Sequence, residues 1–249
     1  MLQALLRGKL SYVQENAEDI LTSSVFGLLS YLPPDEGLIP LLRLAQRKDS
    51  RRVEWLLGPL QILQIEFWPT YRDGPDGWLE PDVMIWVQDA NGQKHLVLIE
   101  VKLWSGKSVV QRQDASSLGD QLAREWSLLA RLCEHGDAIP LLLFVTADRL
   151  YPSIEVQESE QEYSSKLPTL SATYPFTCSW ISWLQVTSAF EASESRALRD
   201  IALSCRKLDL VPFEGISPIA PTGRLWSFAE GVDQYSFMMT PIPIEWRFQ

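Results

Sequence analysis

Residues 96–99 (Leu-Val-Leu-Ile) form an unbroken apolar run that leads directly into Glu100-Val101-Lys102. A run without polar alternation predicts a strand covered on both faces. Two charged side chains at the end of such a strand are costly unless something there requires them. Side chains alternate along a strand, so Glu100 and Lys102 share a face. Residues 82–88 read as the preceding strand, and Asp89-Ala90-Asn91-Gly92 as the hairpin turn between the two.

The turn decides whether Asp82 can join that pair. A two-residue Asn91-Gly92 turn pairs Ala90 with Gln93 and sets Asp82 opposite Val101, with its side chain on the wrong face. A three-residue loop pairs Asp89 with Gln93 and sets Asp82 opposite Glu100. A one-residue slip flips every side chain, so the two loops are mutually exclusive for a shared site. Three-residue loops place a glycine in the left-handed conformation after a type I turn, and Gly92 stands there. We therefore expect the three-residue loop, or one of the same parity, with positive φ at Gly92.

Around this hairpin the chain reads as an α/β fold. Helices are expected over 10–32, closed by Pro33-Pro34, and over 36–47, with Leu38, Leu41, Leu42 and Ala45 on one side. A strand follows over 60–68, then a Gly-, Pro- and Asp-rich loop over 69–77. A helix over 114–133 and a buried strand over 139–146 come after the hairpin. Farther on, 174–183 reads as a strand and 191–206 as an amphipathic helix. From Pro212 the many prolines and aromatics predict an irregular tail. The order helix, three strands, helix, strand implies a mixed central sheet flanked by helices. A single domain over 1–249 is expected, with a core about 10–150 and a C-terminal elaboration about 151–249.

Composition narrows the function. The net charge is −10 and the pI about 4.8, which excludes a protein that coats nucleic acid by charge alone. Local contact with nucleic acid remains open, because metal ions and a few lysines can neutralise a short stretch of backbone. Cys133, Cys178 and Cys205 have no CxxC spacing and are odd in number, so neither a disulfide scaffold nor a zinc site is expected, and a reducing cytoplasm fits. No apolar run reaches membrane-span length, and the first residues lack a signal-peptide pattern.

Asp82, Glu100 and Lys102 together supply what phosphodiester hydrolysis needs. Carboxylate oxygens suit Mg²⁺ or Mn²⁺, and the Val101 carbonyl adds a further oxygen. A bound ion polarises a phosphate and activates water, and the lysine can orient that water or stabilise charge developing on the phosphate. The alternative is an ordinary edge salt bridge.

Pro81-Asp82 and Glu100-Val101-Lys102, with the element order, resemble the PD-(D/E)xK nuclease superfamily, which includes restriction endonucleases and RecB-type nucleases. The likeness covers about the first 150 residues. It implies a restriction endonuclease-like αβββαβ core, a metal-dependent nuclease acting on DNA, and Asp82, Glu100 and Val101 as metal ligands. It also implies an acidic residue on the first helix that completes the metal shell, for which Glu18 is the candidate ligand, with Glu15 behind it. A solvated helix charge is the alternative. RecB-like members carry Gln-x-x-x-Tyr on the helix after the third strand. Gln121 fits, or is an ordinary exposed helix residue, but Glu125 holds the tyrosine position and Trp126 follows it.

Other signals carry less. Gly106-Lys107-Ser108 ends like a phosphate-binding loop, but Val101 stands where its first glycine is required. Lys107 is either a phosphate contact or part of a plain loop. His95 and His135 lack partner spacing. The ten tryptophans read as core residues before base-stacking ones. A protein partner or homodimer is compatible with the acidic surface. The rival function is a catalytically idle DNA- or protein-binding module on the same fold.

Overall fold

In the computed structural model, residues 17–72, 77–103, 117–134 and 137–211 are described. They belong to one unit, Met1–Pro212, and a second unit, Phe213–Gln249, holds the expected irregular tail, which lies outside the described residues.

The core is a five-stranded mixed sheet. Its strands in chain order are β1 (Leu60–Phe67), β4 (Val83–Asp89), β5 (Lys94–Val101), β6 (Ala138–Thr146) and β7 (Cys178–Ser182), and they lie side by side in that order. The first three are antiparallel, whereas β6 and β7 run parallel to β5. The parallel step needs a crossover, and α3 (Gln121–Glu134) lies between β5 and β6 in the chain. A small ladder of β2 (Tyr71–Arg72) and β3 (Trp78–Leu79) stands apart. It replaces part of the plain loop expected over 69–77.

Alternation divides the sheet's side chains between two layers. Val83, Ile85, Val97, Ile99, Leu143 and Val145 pack in one core cluster with Leu21, Val25 and Leu29 of α1 (Ala17–Ser30). That cluster also takes in Ile201 and Cys205 of α7 (Arg196–Lys207). Met84, Leu96, Leu98, Leu142 and Phe144 pack in the other with Leu122, Trp126 and Leu129 of α3 and Tyr163 of α4 (Ser153–Lys166). Every residue of β5 after Lys94 is buried, as the unbroken apolar run requires.

Several expected elements are corrected. The helix over 36–47 shrinks to α2 (Leu38–Leu42). The backbone of Gln46 exchanges hydrogen bonds of 2.8 and 2.9 Å with Trp180, which extends the sheet beyond β7. The pairing competes with helix for the same backbone groups. Residues 117–120 are not helical, so α3 starts at Gln121. The strand expected over 174–183 narrows to β7, and Ser182 opens α6 (Trp183–Glu191) with a capping box. Between β6 and β7 stand two further helices, α4 and α5 (Pro168–Thr173). In α4 only Val156, Ser159 and Tyr163 are buried, a stripe too narrow to stand out as a helical period. The three cysteines are free and buried. No helix among the described residues is long and apolar enough to cross a membrane.

Candidate active site

The β4–β5 hairpin sets the geometry. Its ladder runs from Gln88 opposite Lys94 to Val83 opposite Ile99. The Asp89 amide donates to the Gln93 carbonyl at 3.0 Å and the Gly92 amide to the Asp89 carbonyl at 3.0 Å, closing the three-residue loop. Gly92 has φ +79°. The expected loop and the expected left-handed glycine are both present. One step past Val83, this register brings Asp82 opposite Glu100, and the Val101 amide donates to Asp82 Oδ2 at 2.8 Å.

Three more elements close on this end of the sheet. Lys102 Nζ lies 2.7 Å from Glu100 Oε1 and 3.7 Å from Glu18 Oε2 on α1. The other Glu18 oxygen accepts from the Leu103 amide at 2.8 Å. From α3, Gln121 Nε2 donates to Glu100 Oε1 and, at 3.0 Å, to Glu125 Oε1. The start of α3 is itself fixed. Asp120 accepts from the Ala123 amide at 3.0 Å, an N-cap interaction. Glu162 of α4 accepts from the Gly119 and Asp120 amides at 2.8 and 3.1 Å.

Thus Asp82, Glu100, Val101, Lys102, Glu18 and Gln121 converge, while Glu15 and Lys107 lie outside the described residues. Glu100 is 2% exposed, deeper than a side chain expected to face an open cleft. Glu125 was missed as a site residue. It is fully buried beneath Glu100, and its Oε2 has no hydrogen-bond partner among the described residues. The available signal was its position one helical turn after Gln121, which puts both on one face. Trp126 turns away into the core and donates to the Tyr174 carbonyl at 3.3 Å.

Two buried carboxyl groups, Glu100 and Glu125, with the half-buried Asp82 beside them, make the site electrostatically strained. Burial first, and then Glu100, push Asp82 up to about 7. Burial, and then Glu100, hold Glu125 well above the carboxylate range. Burial alone would lower the Lys102 ammonium, but Glu100, and then Glu18 and Asp82, outweigh it and raise it. A divalent cation would relieve this excess of negative charge. Asp82 and Glu100 offer oxygen donors of the kind Mg²⁺ takes, so the residues fit such an ion. Among the described residues no three His, Cys, Asp or Glu side chains form a metal-enclosing group by themselves. Waters and the Val101 carbonyl would have to complete the shell.

His95 serves elsewhere. It is buried near the start of β5, and its Nε2 lies 3.0 Å from Asp89 Oδ2. His135 lies outside the described residues. Trp126, Trp180 and Trp183 are buried as core, and Trp78 is 63% exposed.

The chain is 28% identical over 179 residues to an uncharacterised protein of Pasteurella multocida. The match covers 72% of this chain and 61% of that protein, so the chain spans less than two thirds of this relative's length. No family model matches, and no solved structure matches.

Proposed function

We propose that this site is a metal-dependent nuclease centre of the PD-(D/E)xK type, which hydrolyses DNA phosphodiester bonds. The observation that carries the reading is the hairpin register, which sets Asp82 opposite Glu100 with Lys102 Nζ 2.7 Å from the latter. The order α1, β1, β4, β5, α3, β6 supports a restriction endonuclease-like core.

Asp82, Glu100 and the Val101 carbonyl would hold Mg²⁺ or Mn²⁺. The ion would supply Lewis acidity toward the phosphate and a more acidic water. Lys102 keeps its proton, because its acidity is lowered by the surrounding carboxylates. With an ion bound, it would serve as a cation and hydrogen-bond donor toward the attacking water or a phosphate oxygen. Gln121 fixes the Glu100 carboxylate from the α3 side. Glu18 holds the Leu103 amide and draws on Lys102, which steadies the chain just after the strand. With a net charge of −10, longer contact with DNA would draw on cationic surface from a protein partner.

The test is cleavage of plasmid and single-stranded DNA with Mg²⁺ or Mn²⁺ and with EDTA. We expect metal-dependent cutting, lowered at least ~100-fold in Lys102→Ala and Glu100→Gln, roughly 2.7 kcal/mol of transition-state stabilisation. Both variants cutting at the parent rate would sink the assignment. Binding without cutting by the parent would point to an idle DNA-binding module instead.

A further inference from the structure

Next to Asp82 lies a groove of about 420 Å³ between α1 and the end of β1, within the roughly 300–1,000 Å³ range of small-ligand sites. Phe67 and Trp68 form one wall, and Ser24, Gly27, Ser30 and Tyr31 line it from α1 and the turn after it. The groove adjoins the candidate active site through backbone. The Trp68 amide donates to the Asp82 carbonyl at 3.0 Å. Trp68 has φ +47°, a left-handed conformation rare for a bulky residue. Such conformations persist only where the surroundings hold them, and they gather at binding sites.

The lining points to one kind of occupant. Among the described residues it carries no charged side chain, so it does not suit a phosphate. Tyr31 is 89% exposed, and Phe67 and Trp68 are tilted at 43° with centroids 5.9 Å apart. A Cβ at Gly27 would meet nothing within 4 Å, so the space above the helix is open there. A flat ring would use this lining, with its face against the aromatics and its body in the open space above Gly27.

We propose that this groove holds an unstacked nucleobase of the strand whose phosphate lies at Asp82 and Glu100, so that the substrate is single-stranded DNA. The proposal rests on the nuclease reading for the identity of the strand. A base inside a duplex cannot enter without leaving its stack, whereas a single strand offers its bases freely.

The test is fluorescence anisotropy with a labelled oligo(dT) of about 15 nucleotides and a duplex of the same length, with Ca²⁺ in place of Mg²⁺. Trp68→Ala removes the stacking ring. Tyr31→Ala changes an exposed side chain. Gly27→Leu fills the groove at a helical position with free space above it, so the fold is spared. We expect the parent to favour the single strand about tenfold, and Trp68→Ala and Gly27→Leu to weaken that binding roughly 5- to 20-fold, with the effect of Tyr31→Ala smaller. Duplex binding should not change. Equal single-strand affinity in parent and Gly27→Leu, or equal affinity for both probes, overturns the proposal. Cleavage by the parent with no effect of these variants removes the groove and leaves the nuclease reading. Weakened single-strand binding in a parent that cuts nothing removes the nuclease reading and leaves the groove.

Discussion

The two ends of β5 bury ionisable groups in opposite ways. At its start, His95 Nε2 lies 3.0 Å from Asp89 Oδ2, and the imidazole stacks on Trp55 with centroids 3.7 Å apart. Asp89 Oδ1 also accepts from the Asn91 and Gln93 amides at 2.8 and 3.1 Å. The hydrogen bond to His95, and then those amides, hold the Asp89 carboxyl below its ordinary range. Only His95 Nδ1 in that pair is without a partner among the described residues. At the other end, Glu100, Glu18 and Asp82 crowd one ammonium, with Glu125 buried behind Glu100, and the Asp82 and Glu125 carboxyls are pushed up. The first end is polar burial in the service of a turn. The second costs stability, and such cost is expected where a ligand is to be held.

The largest difference between the ends should appear in the pH dependence of stability without metal. The Asp82 carboxyl is raised in the folded state to about 7. Its favourable contribution is therefore complete below the unfolded value of about 3.9 and is lost as pH rises through about 7. The loss amounts to something on the order of 4 kcal/mol. Asp89 has the opposite sign: its contribution is present above the unfolded value and is lost as acid protonates the folded state. Unfolding titrations of Asp82→Asn should show a shallower decline between about pH 4 and 7, the remainder belonging to Glu125, and those of Asp89→Asn should lack part of the loss below about pH 4. Parallel profiles for the parent and Asp82→Asn would show that the crowding at this end carries no energy.

Metal should separate the ends next. An ion that binds only the folded state at 100 times its Kd stabilises it by about 2.7 kcal/mol. Mg²⁺ or Mn²⁺ should raise the Tm of the parent and of Asp89→Asn alike, and should do so much less in Asp82→Asn. Equal rises in all three proteins would mean nonspecific binding to an acidic surface. Metal should also bind more weakly as pH falls through about 7, because Asp82 must first lose a proton.

The smallest effect tests how one end controls the other. Gly92 is at φ +79°, and a Cβ there would approach nothing nearer than Gln88 Nε2 at 3.7 Å. The cost of Gly92→Ala is thus conformational, about 1–2 kcal/mol. Because the ladder from Gln88 to Val83 remains to hold the register, the metal-induced rise in Tm should survive. Its loss together with stability would mean that the loop alone keeps Asp82 facing Glu100.

Much of this was legible locally. A hairpin is a problem of counting residues through a turn, and Asn91-Gly92 with the spacing from Asp82 to Glu100 determined which parity could bring the two together. The unbroken apolar run determined that β5 would be buried, and the alternation within it that Glu100 and Lys102 would share a face. No such counting reaches a helix that packs on the sheet. Glu125 entered the site because α3 docks with Gln121 and Glu125 toward Glu100, a matter of how Leu122, Trp126 and Leu129 seat against Leu96 and Leu98. The same holds for Glu18, brought to Lys102 and Leu103 by the burial of Leu21, Val25 and Leu29. Helix α2 ended early because Gln46 found a backbone partner in Trp180, residues far away in sequence. Register and facing are set by covalent spacing, which the sequence carries in full. Which helix meets which end of the sheet, and so how many carboxyls crowd Lys102, is set by non-local packing, and only the tertiary structure decided it.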